Sequence, residues 1–136
     1  MIPVTRKSVS LVVWALYFAA CAAPVVKGAG HVCTGFSTGT VYGFTALMAG
    51  WAPPMTLPWS ANLFLLAGWV LLLWRENADA AVVLGIAAAL LGLTSLIFIP
   101  SDELLVGYYL WQLSLVWFAR GSFAIWRRPD SEEAEL

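Results

Sequence analysis

The chain has 136 residues, 61% of them hydrophobic and 11% charged, with a formal net charge of -1. Soluble domains carry about 25% charged residues, so this composition excludes an ordinary water-soluble domain and suits one compact helical unit in lipid. Near-neutral charge and the lack of a basic run exclude nucleic acid as a partner.

The first apolar stretch covers 8–26 and follows Arg6 and Lys7. Its basic start and apolar middle have the pattern of a secretory signal, and Phe18-Ala19-Ala20-Cys21 faintly follows a lipobox. Phe is a poor lipobox start and Pro24 sits badly near a cleavage site, so a retained signal-anchor helix is expected. Next comes a loop over 27–57. Within it, 33–52 is uncharged and rich in Gly and Thr. It reads either as a further span or as an interfacial or re-entrant segment. Gly35, Gly39 and Gly43 recur at spacing four, which provides a smooth helical face or simply permits turns. Three more stretches follow: 58–74, closed by Arg75 and Glu76; 79–99, closed by Pro100; and 104–125, closed by Arg127, Arg128 and Pro129. The four stretches are roughly 17–22 residues each, enough to cross ~30 Å of hydrocarbon at about 1.5 Å per residue. The acidic tail 129–136 is expected to be solvated.

The bias of basic residues selects the topology. If 33–52 does not cross, Arg6, Lys7, Arg75, Arg120, Arg127 and Arg128 share one side and only Lys27 lies on the other. If it does cross, the best division of the 7 basic residues is poorer by one. The expected fold is therefore all-α: an integral-membrane bundle of four transmembrane helices plus an extracytoplasmic interfacial or re-entrant segment. Both termini are cytoplasmic and 27–57 is exported.

Lipid is as apolar as Leu, so helices in it associate through close packing and polar contacts. Ala81, Gly85 and Ala89 recur at spacing four, with Ala88 and Gly92 beside them. Gly107, Ser114 and Gly121 recur at spacing seven. These stripes predict a tight antiparallel hairpin of the third and fourth stretches across a turn at 100–103. The 8 Trp fall mostly near span ends and read as an interfacial belt, with Trp51, Trp59 and Trp111 outside and Trp74 and Trp126 inside.

No ionisable residue lies deep in a span. Arg120 is near the inner end, where it snorkels to headgroups or joins Arg127 and Arg128 around a lipid phosphate. Asn62, Thr94, Ser95 and Gln112 share a level roughly 6–12 Å below the outer surface. They form either hydrogen-bonded glue between helices or a small polar cavity opening outward, roofed by 33–52. Ser101 is expected to cap the last helix, with Asp102 and Glu103 complementing its dipole. A Ser101, His31 and Asp102 trio has no support from spacing. With two cysteines and one histidine, zinc, haem and redox motifs are absent; so are phosphate loops and dinucleotide fingerprints. Thus no catalytic residue, metal or cofactor is expected. Cys21 and Cys33 either form a disulfide, or Cys21 is buried and Cys33 free.

Two passages, Trp59-Ser60-Ala61-Asn62-Leu63 and Gly107-Tyr108-Tyr109-Leu110-Trp111-Gln112-Leu113-Ser114, come after Tyr42-Gly43-Phe44 and Gly50-Trp51. Over about 40–120 this pattern resembles small bacterial four-span inner-membrane proteins of unknown function. The resemblance implies topology and a bacterial inner membrane, and no activity. The residues themselves suggest a non-enzymatic protein acting by contact with lipid and with other membrane subunits or itself, as an accessory or immunity-type protein. The alternative is a small solute, lipid or ion pathway, assembled as an oligomer.

Overall fold

The computed structural model describes residues 5–27, 40–51, 55–73, 78–99 and 101–127. Its long helices are α1 (Arg6–Ala22), α3 (Thr56–Leu73), α4 (Ala78–Leu93) and α6 (Val106–Trp126). Between them lie two short strands, β1 (Pro24–Lys27) and β2 (Thr40–Tyr42), and two short helices, α2 (Gly43–Ala49) and α5 (Ser95–Phe98). Thr56–Leu73, and α4 with α5 over Ala78–Phe98, are long and apolar enough to cross a membrane. α1 is shorter, at 17 residues, and α6 interrupts its apolar run with Gln112, Ser114 and Arg120.

The four long helices run up-down-up-down, in the ring order α1, α3, α4, α6. Three of the seams are close. In the α1–α6 seam, a Cβ on Gly121 would lie 2.6 Å from Val9, so only glycine allows this approach. At the other end of α6, Gly107 meets the Ala23 and Pro24 carbonyls where α1 ends. Ser114, midway at the same spacing, is wholly buried. In the α4–α6 seam, Gly85 lies against Ala119 and Phe118, and Gly92 against Gln112 and Leu115. α6 thus turns its small face to α1 and its bulky face into the grooves of α4.

This corrects the expected hairpin. The third and fourth stretches are indeed antiparallel neighbours, and Ala81, Gly85 and Ala88 are buried there. But Gly107 and Gly121 serve α1, not α4. Ala89 is only half-buried and contributes its carbonyl. The fourth seam, α1–α3, is bridged by long side chains. Trp14 and Trp69 meet edge to face at 5.2 Å, and Trp69 Nε1 donates to Ser10 Oγ at 3.0 Å. These two Trp are therefore packing residues rather than belt anchors. Trp51 and Trp126 are exposed, as an interfacial position requires, and Trp74 lies outside the described residues.

The helix ends also depart from expectation. The first helix stops at Ala22, not at Val26, because Pro24 cannot continue it and two β-branched residues follow. β1 then pairs antiparallel with β2. Its other edge takes the segment before α6: Lys27 N donates to the Glu103 carbonyl at 2.9 Å and Leu105 N to the Val25 carbonyl at 2.8 Å. The mostly helical chain thus carries a small β-ribbon that ties α1 to α6. Ser101 does not cap α6, which begins at Val106 with Leu105 at its cap.

At Thr94 the third stretch breaks. The Thr94 hydroxyl donates to the Leu91 carbonyl at 2.6 Å, and this back-bonding ends α4 before α5 resumes. The described part of 33–52 is β2 and α2. A helix of 7 residues rises about 10 Å, too short to cross a bilayer. It lies over the end of the bundle, docked by Gly43 on the Ala20–Cys21 backbone and by Trp59 Nε1 donating to the Leu47 carbonyl at 2.8 Å. Cys33, His31, Gly35 and Gly39 lie outside the described residues, so the Cys21–Cys33 reading does too.

Candidate functional site

Between the roof (β1, β2 and α2) and the four helices is a cavity of about 130 Å3. It is partly open and its walls are almost wholly apolar, formed by side chains such as Val26, Val41, Leu47, Met55, Ile99 and Tyr108. Asn62 on α3 and Ser95 on α5 supply polar groups, and Glu103 stands at its edge.

Asn62 is held in one orientation. Tyr17 O–H donates to its Oδ1 at 3.0 Å and Trp111 Nε1–H donates to the same oxygen at 2.9 Å. An indole N–H is a donor only, so the amide oxygen must face Trp111. The Asn62 Nδ2 donors therefore point elsewhere, and they meet no acceptor among the described residues. Three helices converge on this one side chain: α1 through Tyr17, α6 through Trp111, and α3 itself.

The four predicted polar residues share the level but not a network. Asn62 bonds to Tyr17 and Trp111, not to Gln112. Gln112 Nε2 donates to the Ala89 carbonyl at 2.9 Å in the α4–α6 seam, and its buried Oε1 has no partner among the described residues. Thr94 is spent on its own helix. Only Asn62 and Ser95 reach the cavity. Ser95 is 5% exposed, and its hydroxyl makes no hydrogen bond with a described residue.

One of the two readings of the polar level is a cavity roofed by 33–52. The described part of that segment, 40–51, does contribute to the roof, but the cavity is almost wholly apolar, with Asn62 and Ser95 as its polar side chains from the bundle. Tyr17 escaped the sequence reading because a Tyr inside an apolar run looks like any aromatic core residue. Trp111 was assigned to the belt because it lies within two turns of a span end. The spacing of Asn62 and Trp111 relative to Tyr17 is a tertiary relation without a local signature.

Below Asn62 the bundle is filled. Leu65, Leu72, Leu115, Phe118 and Val13 are each no more than 1% exposed. The charges divide between the ends. Arg6, Lys7, Arg120 and Arg127 lie at the end away from the cavity, and Lys27, Asp102 and Glu103 at the cavity end. Arg127 stacks on Phe123 at 4.6 Å, and Arg120 is 5.8 Å from the Trp117 ring centroid. Arg128 and Arg75 lie outside the described residues. Among the described residues, no three His, Cys, Asp or Glu side chains cluster as metal ligands would.

Comparison with protein-family models, with curated proteins and with solved structures found no match.

Proposed function

We propose that this chain is a four-span integral membrane protein of a bacterial inner membrane, with both termini in the cytoplasm. It acts without catalysis, by lateral contact with other membrane subunits, as an accessory or immunity-type protein. Two features support the membrane setting. Every long helix exposes large apolar side chains, Leu11, Leu66, Ile86 and Val116 among them, and of the described basic residues Arg6, Lys7, Arg120 and Arg127 gather at one end, with Lys27 alone at the other.

The observation that carries the contact reading is the outer face of α1. Ala15, Ala19 and Ala22 are all exposed there, at spacings of four and three, with the exposed Leu11 and Phe18 beside them. A lipid-facing position gains nothing from being small, whereas a partner helix approaches closely only over small residues. On α4 the exposed face has no such run of alanines: Val83, Ile86, Leu90 and Leu93 are all exposed. The filled core beneath Asn62 weighs against a solute pathway through one copy.

The test is co-purification from membranes in mild detergent. Ala15→Leu with Ala19→Leu should strip the partner, while Val83→Ala with Leu90→Ala on α4 should leave it bound. A wild-type chain that purifies alone, as a monomer, would remove the basis for this reading.

A further inference from the structure

The cavity is built for a ligand of a particular kind. An enclosed apolar cavity of about 150 Å3 takes up benzene, so about 130 Å3 of similar wall, here partly open, has room for one ring or a short alkyl segment. The walls are almost wholly apolar; Glu103 also lines them, and two polar side chains of the bundle wall, Asn62 and Ser95, have hydrogen-bonding capacity left. Those two define the polarity of the guest. Asn62 Oδ1 is saturated by Tyr17 and Trp111, so what Asn62 offers is an N–H donor, aimed by two other helices. Ser95 offers a hydroxyl from α5, on a residue more than nine-tenths buried.

We propose that this cavity binds a membrane-soluble molecule bearing a carbonyl oxygen, with its ring or alkyl segment between roof and bundle and the oxygen accepting from Asn62 Nδ2. Two pools in a bilayer have this chemistry: acyl-ester lipids and membrane quinones. Both place carbonyls near the hydrocarbon boundary. Asn62 lies six residues into α3, about 9 Å along its axis, which is a matching depth. The proposal rests on the membrane reading above and adds to it an occupant. A contact protein with such a site would report on, or be held in shape by, the lipid phase around it.

The full chain, reconstituted in discs of dialkyl ether lipid, provides a background free of ester carbonyls. It contains two asparagines, Asn62 and Asn77, so 15N-asparagine labelling gives two side-chain amide signals, and Asn77→Asp leaves that of Asn62 alone. A fully substituted benzoquinone with a decyl tail is titrated in one arm and a diacyl phosphatidylglycerol in the other. The expected result is a saturable shift of the Asn62 amide in one arm, which names the source. The ether analogue of the lipid should produce none. Ala46→Phe, which fills the cavity from α2, should weaken binding tenfold or more. No saturable shift in either arm, with the wild-type chain folded in the discs, overturns the proposal; so does an equal shift with the ether analogue. A chain that stays in the aqueous phase without lipid or detergent would instead overturn the membrane reading, and the two failures are distinct.

Discussion

Asn62→Leu separates the network found here from a generic polar layer. The substitution keeps the side-chain size and deletes an acceptor used by Tyr17 and Trp111. Interhelical hydrogen bonds in membrane bundles average about 0.6 kcal/mol and reach about 1.7. Two of them give about 1.2 kcal/mol, rising toward ~3 if both stranded donors remain buried. Gln112→Leu loses one bond, to the Ala89 carbonyl, but also removes an oxygen that is buried without a partner among the described residues. Its cost should therefore be about 0–0.6 kcal/mol. The assay is reversible unfolding in mixed micelles, titrated with denaturing detergent and followed by far-UV circular dichroism. A cycle with Tyr17→Phe isolates the Tyr17–Asn62 term, expected at about 0.6 kcal/mol. If Gln112→Leu costs as much as Asn62→Leu, or if Tyr17→Phe and Asn62→Leu are strictly additive, the convergence of three helices on Asn62 is wrong.

Gly121→Leu should destabilise the bundle by about 1–3 kcal/mol or more through the clash with Val9, and Val9→Ala should restore part of the loss in the same assay. The same leucine at Gly85, which sits 3.0 Å from Ala119 by its would-be Cβ, should not be rescued by Val9→Ala, because it loads a different seam. Trp59→Phe removes the bond to the Leu47 carbonyl and should speed amide hydrogen exchange across α2 with little change in the four long helices. Reporter fusions to the two termini should both report cytoplasm; signals from opposite compartments would overturn the four-span topology.

Much of the architecture was legible because it depends on one-dimensional properties. The four apolar stretches stand where the four long helices stand, and Pro24 signalled the end of α1 even though the stretch was extended past it. The stripe Gly107, Ser114, Gly121 was visible at spacing seven, since that period keeps one helix face. Its partner was not visible, because α1 and α4 both offer residues that fit a smooth surface. The β-ribbon was missed because strands of four and three residues leave too little periodicity to read. The polar level was found, yet its wiring was not: the reach of a Gln or Asn side chain cannot be separated from the rotation of its helix.

The amino-acid order alone decided length, apolarity and the placement of charge at helix ends, because these are properties of consecutive residues. The folded arrangement decided which helix faces which. It also decided that Asn62 answers to Tyr17 and Trp111, and that a cavity remains beneath α2. Such outcomes depend on the relative rotation of separate helices. That rotation is set by steric fit and a few hydrogen bonds between residues distant in the chain.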